Sequence, residues 1–201
     1  MLDRAALKIV KPLNEKAAAL LASRGITADQ ATLAGFAFGM IAAGMVVAGF
    51  TAAAILPLLI NRALDGIDGA LARRAGATER GAFLDISLDF VFYGAIPLAF
   101  AALDPAANAM AAAVLLAAFL ATGTSFLAFA VIAEKRGLRS TAYPSKSFYY
   151  LGGLTEGTET ILCFLAMCLW PQHFAAIAYA YAALCALTAG TRLYAGWKMF
   201  S

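Results

Sequence analysis

Four aspartates are the residues of this sequence whose type and spacing point most directly to chemistry: Asp65, Asp68, Asp85 and Asp89. They lie in sequence that is otherwise apolar enough to cross a bilayer. A charged side chain near the bilayer centre costs at least ~2.5–3.5 kcal/mol on insertion scales, so four that face lipid without partners would cost on the order of 10 kcal/mol. We therefore expect these carboxylates to have partners, and the function depends on what those partners are.

The spacing of the aspartates predicts a single cluster. Asp65 and Asp68 are i, i+3 on one predicted helix, and Asp85 and Asp89 are i, i+4 on the next, so each pair projects from one helical face. Two antiparallel helices joined by a short loop can turn those faces together. Clustered anions require cations between them, and divalent metal ions bind hard oxygen ligands and support phosphate chemistry. The spacing therefore favours a metal site.

Buried ion pairs are the structural alternative to a metal site. In that alternative the aspartates would pair with Arg62, Arg73 and Arg80. These cations are fewer than the anions, and Gly66, Gly69 and Gly81 stand where a purely structural cluster would favour bulk. Glycine lets a ligand approach the helix backbone closely. Both observations favour metal over ion pairs, and Arg73 is placed to pair with a phosphate through its planar fork.

The composition predicts an all-α membrane protein. The chain has 201 residues, 63% hydrophobic and 13% charged, with a mean hydropathy of +0.79. Soluble domains have a lower apolar and a higher charged fraction. At about 20 residues per span, six helices fill nearly the whole length. We therefore expect one membrane domain over residues 1–201. Three cysteines without metal-ligand spacing are predicted to be buried small hydrophobic residues: Cys163, Cys168 and Cys185.

The elements that must position the aspartates follow from periodicity and capping. Residues 1–26 are predicted to form an amphipathic juxtamembrane segment, with a helix over 2–23 in which Pro12 is a candidate break. It either lies at the interface with its basic face on anionic headgroups or packs on the cytoplasmic ends of the bundle. Residues 27–196 are predicted to form six spans, the first opened by a capping box at 27–30. The predicted spans are 28–49, 52–74, 80–102, 107–133, 147–169 and 174–195.

The basic residues set the predicted topology. Lysines and arginines occupy alternate connections, and the three opposite connections contain none. The positive-inside rule then places both termini in the cytoplasm. Asp65 lies eight residues before Arg73, which is about 12 Å along a helix. All four aspartates are therefore expected at one depth near the cytoplasmic side.

Two stretches carry a resemblance to a known family. Residues 65–73 read DGIDGALAR and residues 81–89 read GAFLDISLD. Together they fill every fixed position of D-x2-D-G-x2-A-R, a short spacer, and G-x3-D-x3-D. The chain thus resembles the CDP-alcohol phosphotransferases, also called CDP-alcohol phosphatidyltransferases, and most of all a small proteobacterial inner-membrane subgroup of them.

The resemblance implies an activity. Family members move a phosphatidyl or other phosphoalcohol group from a CDP-linked donor, most often CDP-diacylglycerol, to a hydroxyl acceptor, and release CMP during phospholipid biosynthesis. The expected partners are therefore the CDP-alcohol, a small polar alcohol, the lipid bilayer and a second copy of the chain in a homodimer, with no nucleic acid. The expected location is the bacterial inner (cytoplasmic) membrane, with multiple passes.

The resemblance also implies roles for the signature residues. Asp65, Asp68 and Asp85 would hold Mg2+ or Mn2+, with two ions expected. Asp89 would be the general base on the acceptor hydroxyl and would share a metal. The implied CDP-binding residues are Asp65, Gly69, Ala72, Arg73 and Gly81.

A second polar cluster in the fifth predicted span is a candidate acceptor site. Counted along a helix from Lys146, Glu156 lies about 15 Å deep, close to the level of the aspartates. Intramembrane carboxylates are functional candidates. We expect Glu156 to recognise the acceptor, with Lys146 and Arg192 near the mouth of the cavity. The alternative is that Glu156 and Glu159 are protonated or paired with threonines and hold helices together.

Two rival functions use the same residues. A cation transporter or channel would use the aspartates as an intramembrane ion site. Against it, all four carboxylates are expected on the cytoplasmic side, and Arg73 would repel a permeating cation. A hydrolase of CDP-linked lipids would place water where the transferase places the alcohol.

Overall fold

The described part of the chain is a bundle of seven α-helices. The computed structural model describes residues 2–137 and 153–201. Within them no β-strand occurs, so the predicted all-α class is confirmed. The helices are α1 (Leu2–Ser23), α2 (Ala28–Val47), α3 (Thr51–Ala75), α4 (Glu79–Leu103), α5 (Pro105–Lys135), α6 (Gly157–Leu169) and α7 (Phe174–Phe200), the last preceded by a 3-10 turn at Pro171–His173.

Side-chain caps define where three of the helices begin. The Thr27 hydroxyl accepts from the Gln30 amide at 3.3 Å, and the Gln30 side chain accepts from the Thr27 amide at 3.0 Å, so the predicted capping box is confirmed. Thr78 caps α4, and Asp104 caps α5 immediately before a proline. Gly49, at φ +83°, makes the tight connection into α3 that a side chain would strain.

Two predicted boundaries are wrong. Pro12 does not break α1, which runs from Leu2 to Ser23, because a proline removes only one backbone donor from a helix. The fifth predicted helix begins late: residues 153–156 are not helical, and α6 starts at Gly157 with Glu156 as its N-cap. The count from Lys146 at a helical rise therefore does not hold, and the depth of Glu156 stays a prediction. The earlier part of that predicted span, 147–152, lies outside the described residues.

Four segments of the described chain are long and apolar enough to cross a membrane: Ala28–Val47, Glu79–Leu103, Pro105–Lys135 and Pro171–Phe200. At 25 residues α3 is also long enough, but it carries Arg62, Asp65 and Asp68 in its second half. The described α6 has 13 residues. The count of six spans therefore stays a prediction.

Aromatic and aliphatic side chains fill the interior of the bundle. On α3 and α4 they lie farther from the connection between these helices than the aspartates do. Phe92 and Phe100 of α4 are fully buried, and the ring of Phe100 stacks on that of Phe174 at 4.7 Å between centroids. A smaller cluster joins α1 to α2 and α3 through Ala18, Ala31, Ala70 and Leu71. Of the two predicted placements of α1, packing on the bundle requires such contacts. Its placement on lipid headgroups stays a prediction.

Gly39 lies at a close approach of α2 to α3 and α4. A Cβ atom there would lie 2.6 Å from Cδ2 of Phe92 and 3.1 Å from Nδ2 of Asn61. We expect Gly39→Ala to lower the free energy of unfolding by about 1–3 kcal/mol, because overpacking forces neighbours to move. Thermal unfolding of the protein in detergent measures this.

Gly44 on the same helix provides the matched control. A Cβ atom at Gly44 meets nothing within 4 Å, so Gly44→Ala should leave stability unchanged or raise it slightly. Equal melting temperatures for the two variants would contradict the close approach at Gly39.

Candidate active site

All four aspartates line one small cavity where α2, α3 and α4 meet. The cavity is bounded on the α2 side by Thr32. The i, i+3 pair comes from α3 and the i, i+4 pair from α4, as the helical spacing predicts. Asp68 is buried, and the other three carboxylate residues are half-buried.

Arg62 is a partner of this cluster. Its Nη2 atom lies 2.8 Å from Oδ1 of Asp89, and its Nη1 atom lies 3.6 Å from Oδ2 of Asp65. Asp68 has a different partner, because the Thr32 hydroxyl donates to its Oδ2 atom at 2.6 Å. Arg62 therefore bridges α3 and α4 through one aspartate from each signature stretch.

The other two arginines pair outside the aspartate cluster. Arg73 Nη2 lies 3.1 Å from Oε1 of Glu15 on α1, and Arg80 pairs with Asp29 on α2. The buried-ion-pair alternative thus holds for Arg62 and fails for Arg73 and Arg80. It fails because these two arginines lie near the ends of their helices, where acidic residues of α1 and α2 are closer.

The donor set fits a divalent metal ion. Four carboxylates, the Asn61 amide and the Thr32 hydroxyl line the cavity, and oxygen ligands of this kind suit Mg2+ and Mn2+. Within residues 2–137 and 153–201, no three acidic, histidine or cysteine side chains converge closely enough to hold a metal as they stand. Part of the reason is that Arg62 and Thr32 already engage three of the aspartates. Metal binding therefore requires side-chain rotation.

A larger cavity of about 300 Å3 adjoins the aspartates and lies between α2, α3 and α4. Gly69, Ala72 and Gly81 line it together with Asp68 and Asp85. Its volume reaches the lower end of the range typical of small-molecule sites. Three of the five predicted CDP-binding residues therefore border one cavity.

The remaining two predicted CDP-binding residues lie beside that cavity. Asp65 borders the smaller cavity instead. Nη1 of Arg73 lies 3.4 Å from the position of a Cβ atom at Gly69. At Gly81 a Cβ atom would lie 3.1 Å from the Thr78 hydroxyl and 3.2 Å from Oδ1 of Asp29, so a side chain there would crowd the lining.

Glu156 and Arg192 are both buried, at 6% and 7% exposure, and Lys146 lies outside the described residues. Oε1 of Glu156 accepts from the Gly153 amide at 3.2 Å, and Oε2 of Glu159 accepts from the Glu156 amide at 3.2 Å. Both glutamates therefore have a capping role at the start of α6. Of the threonines beside them, Thr155 donates to the Thr188 hydroxyl at 3.0 Å, and Thr160 donates to the backbone carbonyl of Glu156 at 2.9 Å.

Arg192 of α7 contacts both α5 and the segment that precedes α6. Its Nη1 atom donates to the Thr122 carbonyl of α5 at 3.2 Å, and its Nη2 atom lies 3.1 Å from the position of a Cβ atom at Gly153. Gly123, next to Thr122, lies against the ring of Phe90, the residue after Asp89. Contacts thus connect the segment that carries Glu156 to the helix that carries Asp89.

A family model described as CDP-alcohol phosphatidyltransferase matches residues 26–190. The chain belongs to this family. The match spans both signature stretches and every helix from α2 to α6, so the enzyme is a CDP-alcohol phosphatidyltransferase with several apolar membrane helices.

Relatives agree with this assignment. The transferase is 50% identical to the inner membrane protein YnjF of Escherichia coli over 197 residues, which cover 98% of this chain and 96% of the relative. It is 37% identical to the archaetidylinositol phosphate synthase of Pyrococcus horikoshii over 90 residues, 44% of this chain and 47% of that one.

Solved structures share the fold. Phosphatidylinositol phosphate synthase of Mycobacterium tuberculosis with CDP-DAG bound superposes with a TM-score of 0.71 at 23% identity, covering 92% of the transferase and 94% of that chain. The same synthase in complex with manganese and citrate gives a TM-score of 0.73 at 23% identity, covering 92% and 88%.

Several residues near the site of the transferase were not predicted from the sequence. Glu15 pairs with Arg73, and the Asn14 side chain lies against Gly66, so α1 covers part of the signature helix. In the sequence both residues look like the polar face of an amphipathic helix, and no local signal singles them out. Asn61 had a signal, because it is a polar residue within an apolar span.

Proposed function

We propose that this transferase moves a phosphatidyl group from CDP-diacylglycerol, or a phosphoalcohol group from another CDP-alcohol, to the hydroxyl of a small polar alcohol and releases CMP in phospholipid biosynthesis. The observation that carries the proposal is the placement of the four signature aspartates around one cavity, beside a cavity lined by Gly69, Ala72 and Gly81. A structural neighbour with CDP-DAG bound supports the donor, and one with manganese supports a divalent metal.

The aspartates divide the chemistry in this proposal. Asp65, Asp68 and Asp85 would hold Mg2+ or Mn2+, as two ions, and Asp89 would share in holding them. Bound metal stabilises the charge that develops on the diphosphate and on the CMP leaving group. Asp89 takes the proton of the acceptor hydroxyl while the acceptor oxygen bonds to phosphorus and the bond from phosphorus to the CMP oxygen breaks.

The CDP portion binds in the 300 Å3 cavity. Gly69, Ala72 and Gly81 leave room for it because their side chains are small. Arg73 turns from Glu15 to a phosphate oxygen, for which a planar guanidinium is well suited, and Asp65 contacts the nucleotide from the metal side.

We further propose six membrane spans over residues 27–196, both termini in the cytoplasm, an inner-membrane location and a homodimer. The alternation of basic and uncharged connections supports the orientation, and the name of the Escherichia coli relative supports the membrane. This arrangement opens the site to water-soluble CDP while acyl chains stay in the bilayer.

The acceptor site is proposed to comprise Lys146, Glu156 and Arg192. We expect Glu156→Gln to raise the apparent KM for the acceptor about tenfold and to leave the KM for the donor unchanged, a loss typical of a hydrogen bond to a charged group. Glutamine keeps a carbonyl that can accept from the Gly153 amide, so the turn that precedes α6 should be kept.

Glu134→Gln is the matched control for this variant, because Glu134 is exposed near the end of α5. Initial rates at varied acceptor and saturating donor separate the two constants. An unchanged acceptor KM in Glu156→Gln would limit this residue to its capping role.

A purified-protein assay tests the proposed function against its rivals. The transferase should release CMP from CDP-diacylglycerol only when a divalent metal and an acceptor alcohol are present, and lipid mass spectrometry of an acceptor screen should identify the new phosphodiester. A hydrolase would give phosphatidic acid and CMP without acceptor. A transporter would carry metal into proteoliposomes without CMP release, and either result would overturn the proposal.

A further inference from the structure

Arg62 is a half-buried cation that lines the cavity of the proposed metal site. It lies one helical turn before Asp65 on α3, and its side chain is 16% exposed. Its guanidinium bonds to Asp89 at 2.8 Å and approaches Asp65 at 3.6 Å. It therefore lies at two of the carboxylates that the proposed function assigns to metal.

A second set of contacts holds Arg62 from the other side. Its Nε atom donates to Oδ1 of Asn61 at 2.7 Å, and Nδ2 of Asn61 donates to the Gly35 carbonyl at 2.8 Å, which anchors the amide to α2. The guanidinium carbon lies 4.9 Å from the Phe92 ring centroid and 5.6 Å from that of Tyr93, where cation–π attraction applies. These contacts, which we call the Arg62 seat, involve no aspartate.

The Arg62 seat allows a divalent ion to replace Arg62 at Asp65 and Asp89. A guanidinium and a divalent ion repel each other, and they compete for the same carboxylate oxygens. Arg62 can release Asp65 and Asp89 and still keep Asn61 and the two rings. Without metal, by contrast, removal of Arg62 would leave two half-buried carboxylates without this partner, which is strongly destabilising.

We propose that Arg62 is an internal counter-cation of the aspartate site, which bridges Asp65 and Asp89 when metal is absent and yields both carboxylates to the divalent ion while it stays on its seat. The inference rests on the proposed function, which places metal at these aspartates. Arg62 is a positioning residue under this proposal. It stabilises the metal-free protein, weakens metal binding and keeps Asp89 oriented before the ion arrives.

Metal titration of the full-length protein in detergent tests the exchange. Thermal unfolding is followed against Mn2+ concentration, without donor, for wild type, Arg62→Gln, Arg62→Lys and Arg136→Gln. We expect Arg62→Gln to unfold several degrees lower than wild type without metal and to reach half-saturation at an Mn2+ concentration about tenfold lower, because a repelling unit charge is gone. Arg62→Lys keeps the charge and should titrate like wild type.

Arg136→Gln is the matched control, since Arg136 is exposed and donates to the Met199 and Phe200 carbonyls where α5 and α7 end. It should leave half-saturation unchanged. If Arg62→Gln is obtained only with Mn2+, the EDTA concentration that removes half of the metal replaces the titration, and it should be about tenfold higher than for wild type.

The outcomes separate this inference from the proposed function. If Mn2+ stabilises wild type and Arg62→Gln reaches half-saturation at the same Mn2+ concentration, the proposed exchange is overturned. The proposed metal site is unaffected by that result. Wild type that gains no stability from Mn2+ overturns both. Arg62→Lys that titrates like Arg62→Gln also overturns the inference, because the charge would then have no part in it.

Discussion

Asp89→Asn is expected to slow CMP release from CDP-diacylglycerol by at least about a thousandfold. An amide cannot take the proton of the acceptor hydroxyl, and general-base catalysis by a positioned group contributes roughly 10²–10⁴ in rate. The substitution also removes the negative charge of one of the four carboxylates in the cluster. Asparagine keeps an oxygen in reach of Arg62, which lies 2.8 Å from the present carboxylate, so the fold should survive. The measurement is the initial rate of CMP formation with saturating donor, acceptor and Mn2+.

Asp104→Asn is the matched control for Asp89→Asn. Oδ1 of Asp104 accepts from the Ala107 amide at 3.1 Å and caps α5 at the connection to α4. Asparagine caps a helix about as well as aspartate, so activity and melting temperature should both stay at the wild-type level. Asp89→Asn that retains the wild-type rate would show that proton transfer uses another group, and the assignment of Asp89 as base would be wrong.

Removal of divalent metal is expected to abolish activity, with a loss of at least about a thousandfold, because the divalent ions would supply most of the positive charge that stabilises the diphosphate and the leaving group. Protein treated with excess EDTA should release no CMP above background, and added Mn2+ or Mg2+ should restore the wild-type rate. The metal should also raise the melting temperature, because a ligand that binds only the folded state stabilises it.

Asp68→Asn distinguishes a bound metal from a metal carried by the substrate. Asp68 is buried at 5% exposure, and its carboxylate accepts from Thr32, a bond that an asparagine carbonyl keeps. This variant should stay folded but remain inactive after metal is added, and its Mn2+-dependent stabilisation should shift to higher concentration. Full activity in excess EDTA, or full rescue of Asp68→Asn by metal, would contradict a protein-held ion.

The two polar clusters differ in how well sequence reasoning located them. The spacing of Asp65, Asp68, Asp85 and Asp89 placed each pair on one helical face, and the structure brings all four to one cavity. Helical geometry is local, so spacing alone carries that information. The helical count behind the depth of Glu156 was wrong, because it assumed a helix from Lys146, whereas residues 153–156 are not helical. Gly152 and Gly153 are the sequence signal of an interruption that this count did not use.

Sequence by itself determined the all-α class, the family, the cap at Thr27 and the aspartates that face one another. These features depend on composition, short-range spacing and side-chain reach within one turn. Only the tertiary structure decided that Arg62 bonds to Asp89, 27 positions away along the chain, and that Glu15 pairs with Arg73. Several arginines and several carboxylates were available, and the choice among them depends on how α1, α3 and α4 pack, which no local pattern encodes.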